Sequence, residues 1–315
     1  MKIVFFGTPE FAVPVLGALI AGGYEVLAVT TQPDKPVGRN RDISWPPTKL
    51  FADKNNISVL QPKSLKDDAF FNEFKNLNPD ICIVAAYGKI IPERYLLVPR
   101  YGFLCVHPSL LPKYRGPSPI QGAILDGNTE TGITIIIIDK DMDHGSILST
   151  KKYALGKTMY LKEAEKNIWD LGTKLLIETL PKYISGEIKP QEQDHDQATF
   201  TKMLKREDGK INWCQSAEKI YNQIRALSEE PGTWTTWNNK ILNIRQANHL
   251  EAQPLPEVKP QVAKPGTIIS IDGQVAVATD KCYLILKTVQ LEGKKETDVK
   301  SFVNGYPDFI NSKFE

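Results

Sequence analysis

The N-terminal part of the chain alternates short apolar runs that read as strands with stretches whose apolar residues recur at helical spacing, and this alternation constrains the fold more than any other feature. Lys2–Phe6 is one such run. It is closed by Gly7-Thr8-Pro9, after which Phe11, Val13, Leu16, Leu19 and Ile20 follow a helical period, with Thr8 suited to the N-cap and Pro9 to the first helical position. A second run, Glu25–Thr31, follows Gly22-Gly23, and a third, Ile81–Ala86, follows a helical stretch at Asp68–Leu77. Strands returned to the same edge by helices make a doubly wound α/β parallel sheet, with its site at the carboxyl ends of the strands. Such sheets often hold dinucleotides. Here GTPEFA has one glycine where that fingerprint needs three, and Thr30-Thr31-Gln32 stands where an acid would bind a ribose, so no nicotinamide cofactor is expected.

Gln32–Thr48, rich in Pro and Arg, reads as a long surface loop. Two further β-like runs are Gly102–Val106 and Gly132–Ile138, and helical spacing returns at Leu161–Ile184, ending near Gly186. Lys189–Thr201, KPQEQDHDQATFT, is polar and aperiodic, which marks a linker. Beyond it Ala217–Leu227 reads as a helix, and short β-like runs at Lys240–Arg245, Gly266–Ile271, Gln274–Ala278 and Tyr283–Gln290 imply a small β-rich domain, a barrel, interrupted by the loop PLPEVKPQVAKPG. At 315 residues the chain exceeds one ordinary domain. The expected division is 1–189, a linker at 190–204, and 205–315.

A hydrophobic fraction of 41% supplies both domains with core material, and a net charge of +2 neither demands nor excludes a polyanionic partner. The N-terminus lacks the pattern of an export signal, and no run reaches the roughly 18–20 apolar residues that span a bilayer, so a cytoplasmic protein without membrane association is expected. Cys82, Cys105, Cys214 and Cys282 are scattered, which suggests neither a disulfide framework nor a clustered metal site.

The informative block runs from Gly102 to Leu148. His107 follows one β-like run and Asp143 the other, and neighbouring parallel strands would bring the two together. Acyl transfer to an amine needs a base or proton shuttle, a carboxylate to orient it, and a donor facing the carbonyl oxygen; His107 and Asp143 can fill the first two roles. A lone histidine also serves as a structural group and a turn aspartate as a local cap, and spacing leaves both readings open.

GTPEFA, QPDKPVGR at Gln32–Arg39, AAYGKIIP at Ala85–Pro92, HPSLLPKYRGPSPIQGAI at His107–Ile124, ETGITI and DMDHG at Asp141–Gly145, with KINW at Lys210–Trp213 and PGT at Pro265–Thr267, resemble in order the methionyl-tRNA formyltransferases. The resemblance covers nearly the whole chain. It implies a Rossmann-type domain that binds 10-formyltetrahydrofolate, an OB-like barrel that helps hold transfer RNA, and the initiator methionyl-tRNA as acceptor, with neither metal nor nicotinamide and a monomeric chain. His107 and Asp143 match two of the family's catalytic trio of Asn, His and Asp. Ser109, Leu110, Leu111 and Pro112 match the folate-lining segment, where the leucines offer apolar surface and a proline-rigidified turn leaves backbone groups free for the pterin. Tyr87, Gly88, Ile90 and Ile91 resemble another wall of that pocket.

Cys105 departs from the pattern, standing where the family has its Asn; a thiol is a weak donor beside a carboxamide. It also fits as a small buried hydrophobe, and a nucleophilic role would require a depressed thiol pKa. The loop carrying Arg39 and Arg41 resembles the family's insertion that reaches the acceptor stem, although each arginine suits a solvated surface equally. Lys202, Lys205, Arg206, Lys210 and Lys294-Lys295 extend a candidate backbone-binding track or are ordinary surface charges. Transfer to an amino sugar nucleotide and hydrolysis of formyl-folate use the same N-terminal machinery, and a folate- and RNA-binding protein that has lost turnover through Cys105 is the reading from outside enzymology. The β-rich second domain and the arginine loop favour RNA.

Overall fold

The computed structural model describes residues 1–37, 42–249, 263–280 and 282–315. The chain divides into two compact units, the first formed by residues 1–119, 130–154 and 164–202 and the second by 120–129, 155–163 and 203–315.

The first unit is built on nine strands: β1 (Lys2–Gly7), β2 (Glu25–Thr30), β3 (Lys35–Val37), β4 (Asp42–Ser44), β5 (Ser58–Leu60), β6 (Ile81–Ala85), β7 (Phe103–His107), β8 (Glu130–Ile137) and β9 (Ile147–Ala154). Seven of them form one sheet in the order β5-β2-β1-β6-β7-β8-β9, and β3 pairs with β4 as a separate hairpin inside the expected Gln32–Thr48 loop. β5, β2, β1, β6 and β7 are parallel neighbours, as the helical returns dictate. Those returns are α1 (Val13–Ala21), α2 (Pro47–Lys54), α3 (Asp68–Leu77) and the short α4 (Glu93–Leu96).

β8 runs the other way, and β9 returns to the direction of the parallel strands. Both the β7–β8 and the β8–β9 pairs are antiparallel, which corrects the expectation that His107 and Asp143 end neighbouring parallel strands. Residues 138–146, between β8 and β9, are too few for the dozen or more that a parallel crossover needs; residues 108–129, between β7 and β8, are not, so their length leaves the direction of β8 open. The start of the first helix also differs: a 3-10 turn at Glu10–Ala12 has Pro9 as its N-cap and leads into α1. The Thr8 hydroxyl instead accepts from the Gln32 N–H at 3.3 Å and lies 3.4 Å from the Thr31 hydroxyl, tying the carboxyl end of β1 to that of β2.

The sheet buries its strands because they carry apolar and aromatic side chains on both faces. Phe6 meets Tyr87 edge-on at 5.3 Å between centroids and Phe103 at 5.4 Å, and Phe74 of α3 closes on Tyr95 at 5.1 Å. Each such pair adds about 0.5–1.5 kcal/mol beyond its buried area. Residues 189–201, expected as a linker, are instead stitched to this unit. Gln191 and Ile147 exchange backbone bonds of 2.7 and 2.8 Å, and Thr199 and Thr201 bracket Arg115 with backbone bonds of 2.8 and 2.7 Å.

The second unit contains α5 (Pro119–Leu125) from Ile120 onward, the start of α6 (Leu161–Ile184), α7 (Ala217–Leu227), α8 (Val299–Gly305) and the strands β10 (Trp234–Trp237), β11 (Lys240–His249), β12 (Ile268–Ile271), β13 (Gln274–Ala278), β14 (Tyr283–Leu291) and β15 (Thr297–Asp298). The strands form an antiparallel sheet in the order β10-β11-β14-β13-β12, with β15 added to β14. Residues 311–315 join its two edges: Ile268 N donates to Ser312 O at 2.9 Å and Phe314 N to Gly266 O at 2.9 Å on the β12 side, and Glu315 N donates to Thr236 O of β10 at 3.0 Å. This closure gives the expected barrel its last seam. Trp213, Trp237, Phe302, Phe309 and Phe314 fill the interior. Most of the proline-rich insert lies outside the described residues.

Candidate active site

Side chains alternate along β7, so Cys105 and His107 project to the same face. Opposite them on β8 are Ile136 and Thr134. His107 is only 4% exposed. Its Nε2 lies 3.1 Å from the Tyr114 carbonyl oxygen, which can only accept, so this nitrogen carries a proton. Nδ1 faces Asp143 Oδ1 at 3.5 Å, the separation of an ion pair rather than of a tight hydrogen bond. With Nε2 donating to the carbonyl, Nδ1 is the nitrogen that faces the carboxylate.

Asp143 lies in the turn between β8 and β9 with φ 51°, a left-handed conformation that costs a non-glycine residue about 1–3 kcal/mol. The surroundings hold it there. Its Oδ2 accepts the Gly116 N–H at 2.7 Å. The turn is braced by Asp139, whose carboxylate takes the Asp141 N–H at 3.0 Å and His144 Nδ1 at 2.6 Å. Two glycines make the approach possible: a Cβ on Gly145 would fall 1.7 Å from the Ile137 oxygen, and one on Gly116, whose φ is +110°, 2.6 Å from the Thr201 oxygen.

Cys105 is half-buried against the aromatic core. Burial first, and then the Asp143 carboxylate, push its thiol well above the ordinary thiol range. The sulfur therefore keeps its proton, which leaves a weak donor and a poor nucleophile and runs against a formyl-thioester role.

The 109–112 segment follows directly, and here the structure departs from the expected free backbone. Ser109 N donates to His107 O at 2.9 Å and Lys113 N to Leu110 O at 3.1 Å, Thr134 Oγ1 donates to Ser109 O at 2.7 Å and takes Leu111 N at 3.3 Å, and Ser109 Oγ donates to Lys113 O at 2.7 Å. The segment spends its polar groups on its own rigidity. Leu110 and Pro112 remain partly exposed, while Ser109 and Leu111 are buried. In the 87–91 segment, at the carboxyl end of β6, Ile90 is 73% exposed and Gly88 is exposed, whereas Tyr87 and Ile91 are core residues. The Tyr87 hydroxyl is buried without a hydrogen-bond partner, and burial raises its pKa. Tyr87 and Ile91 thus anchor the segment in the core beneath the exposed Gly88 and Ile90. Arg39 and Arg41 lie outside the described residues.

Two residues without an assigned role from sequence enter the site. Gln193, 4% exposed, donates from Nε2 to Asp143 O at 2.9 Å and Gly145 O at 2.7 Å. Its Oε1 accepts from Arg115 Nε at 3.2 Å and Nη2 at 2.7 Å. Arg115, 3% exposed, also donates from Nη2 to His195 Nδ1 at 2.8 Å, and the His195 ring stacks on that of His144 at 4.0 Å. Arg115 belongs to the quoted HPSLLPKYRG motif, which gives no hint of its partner, and Gln193 sits in a polar stretch without periodicity. No group of three or more His, Cys, Asp or Glu that could hold a metal occurs among the described residues, and no helix there is long and apolar enough to cross a membrane.

Residues 1–180 match the formyl transferase family, and residues 203–307 match the formyl transferase C-terminal domain. A methionyl-tRNA formyltransferase of Chloroflexus aurantiacus is 41% identical over 313 residues, 97% of each chain, and one of Roseiflexus castenholzii is 42% identical over 94% of this chain and 93% of its own. Among solved structures, WlaRD, a sugar 3N-formyl transferase, superposes with a TM-score of 0.68 at 20% identity over 94% of this chain and 99% of that one. HypX from Aquifex aeolicus, in complex with tetrahydrofolic acid, does so with a TM-score of 0.66 at 15% identity, covering 98% of this chain and 48% of that one. These two share the fold. With both family domains matched in order and two residues in five identical to relatives along nearly the full length, the chain belongs to the formyl transferase family.

Proposed function

We propose that the chain transfers the formyl group of 10-formyltetrahydrofolate to the amino group of initiator methionyl-tRNA, in the cytoplasm, for translation initiation. The observation that carries the chemistry is the approach of Asp143 Oδ1 to His107 Nδ1 at 3.5 Å, on a strand end that also presents Cys105. The acceptor is supported by the full-length relatives named for it, which are about twice as similar to this chain as the sugar enzyme is.

The amine nitrogen attacks the formyl carbon, the bond from that carbon to the folate N10 breaks, and a proton passes from the attacking ammonium to the departing nitrogen. With Nε2 committed to the Tyr114 carbonyl, Nδ1 of His107 takes that proton beside the Asp143 carboxylate and passes it to the departing nitrogen. Asp143 fixes the ring and balances its charge, and the Tyr114 carbonyl fixes its other nitrogen. Cys105 occupies the place of the donor to the developing oxyanion, where its S–H gives a weak bond. The exposed face of Ile90 with Gly88, Leu110 and Pro112 receives the folate ring on apolar surface, stiffened by buried Ser109, Leu111, Tyr87 and Ile91. Arg39 and Arg41 reach the acceptor stem. The test is formylation of charged initiator RNA beside uncharged RNA and an amino sugar nucleotide, with 10-formyltetrahydrofolate as donor. Transfer to charged RNA alone is expected, and transfer to the sugar with none to RNA would overturn the reading.

A further inference from the structure

The side-chain amide of Gln193 uses all four of its hydrogen-bonding positions inside the first unit. Its two N–H groups go to two carbonyls of one turn, those of Asp143 and Gly145, and its oxygen takes two bonds from the Arg115 guanidinium. The orientation is fixed by chemistry: a flipped amide would set N–H groups against a guanidinium and an oxygen against two carbonyls. Arg115 is in turn the middle residue of the segment that touches both members of the proposed pair. Tyr114 O accepts from His107 Nε2, and Gly116 N donates to Asp143 Oδ2. The contacts close a ring that runs from His107 through the 114–116 segment, Arg115 and Gln193 to Asp143 and back to His107. Within the ring the weakest link is the 3.5 Å approach of carboxylate to imidazole, and Asp143 holds its place in a left-handed backbone conformation, which aspartate tolerates better than most residues but which still costs energy.

We propose that Gln193, clamped by Arg115, is a positioning residue for formyl transfer, holding the Asp143 turn so that the carboxylate faces His107. The proposal rests on the active-site reading above. Gln193 reaches no reacting atom in this scheme, so its effect passes entirely through Asp143. That gives it a signature that general loosening of the fold does not have: it should act on kcat rather than on the KM for the folate, and it should vanish once Asp143 is gone.

The test is a double-mutant cycle on the full-length chain, read as kcat and as the KM for 10-formyltetrahydrofolate with charged initiator RNA as acceptor. Gln193→Glu keeps the size of the side chain and its contact with Arg115 but loses both N–H donors. It is expected to lower kcat roughly 10²-fold, the effect of displacing a catalytic group by about 1 Å, with the folate KM within a few-fold of the parent. In an Asp143→Ala background the same substitution is expected to cost nothing further. Arg115→Lys, which loses the planar fork that grips the amide oxygen, approaches the ring from its other side and is expected to show the same dependence on Asp143 with a smaller loss. An equal loss of kcat in both backgrounds, or a raised KM with kcat unchanged, would overturn the positioning role. An Asp143→Ala enzyme as fast as the parent would overturn the active-site reading itself, a different result from an additive cycle.

Discussion

Replacing Cys105 with asparagine tests the site at the one position where this chain departs from its family's pattern. The backbone there is well fixed: Cys105 is the central residue of β7, paired with Val84 on one side and Ile136 on the other, so the new side chain starts from the same Cα and points to the same face as His107. The thiol it replaces is held neutral by burial and by the Asp143 carboxylate, and it can offer a forming oxyanion only an S–H. A carboxamide N–H at such a site is worth about 2.7–4 kcal/mol in the transition state, roughly 10²–10³ in turnover. Against that stands the cost of placing an amide beside the aromatic core, about 1–3 kcal/mol if it stays unpaired. That cost lowers the melting temperature but leaves nearly every molecule folded, so it does not enter kcat. Cys105→Asn should therefore raise kcat by about two orders of magnitude, with the folate KM within a few-fold because the ground-state carbonyl needs the donor less. Steady-state formylation of charged initiator RNA at saturating and limiting folate separates the two constants. Turnover equal to or below that of the parent would show that the thiol has its own chemical part or that the pocket is built around sulfur, and the oxyanion argument at this position would be wrong.

His107→Ala and Asp143→Ala should each remove most of the activity while the protein stays folded, and the double variant should be little worse than the slower single one, since the carboxylate acts through the ring; fully additive losses in kcat would break the pairing. Arg39→Ala with Arg41→Ala should weaken RNA binding and flatten its salt dependence by roughly 0.9 in log–log slope for each lost phosphate contact, with folate affinity intact, and titrations at several salt concentrations would reveal bystander charges as an unchanged slope. Iodoacetamide near neutral pH should label exposed Cys214 well before Cys105, and preferential labelling of Cys105, read by mass spectrometry, would contradict its raised thiol pKa. Cys82 and Cys105 hold their protons more tightly in the folded chain than the ordinary value of 9.0 implies, so the stability they contribute is complete below that pH and drains away as the pH climbs above it. Thermal melts should be level near neutrality and fall in the alkaline range, and a curve still flat well above pH 9.0 would refute the assignment.

Features written in consecutive residues were the readable ones. The helix over Leu161–Ile184 has the bounds its spacing implies, and β1, β6 and β7 fall where their apolar runs stop at glycine, proline or a polar residue. Strand direction was not readable: GITIII on β8 is apolar on both faces and reads the same whichever way it runs, so only the path of the connections decides. β9, ILSTKKYA, escaped because Lys151 and Lys152, on opposite faces, are both exposed and break the alternation of a half-buried strand. His107 and Asp143 stood out because each follows an apolar run, but parallel strand ends do not bring them together: β8 runs antiparallel to β7, and the turn before β9 carries Asp143 to His107. Gln193 did not stand out, because it acts across 50 residues of chain to Asp143 and 78 to Arg115, and its neighbours in sequence are polar and aperiodic whether the segment is tethered or loose.

The seam made by residues 311–315 carries a consequence for the order in which the chain is made. The first unit's sheet has all its strands once β9 at Ile147–Ala154 has left the ribosome, and the segment stitched to it is complete by residue 202. The second unit cannot join β10 to β12 until Ser312, Phe314 and Glu315 emerge, the final residues of the chain as given. Throughout the synthesis of residues 238–310, the edge of β10 is covered only at Trp234, by Ile211, and its Thr236 end stays open, while β12 shows an open edge once it has formed, each a template for any stray strand. Synthesis that halts shortly before residue 311 would release an intact first unit joined to an open sheet, so the hazard of a truncated message for this protein is self-association rather than simple loss of activity.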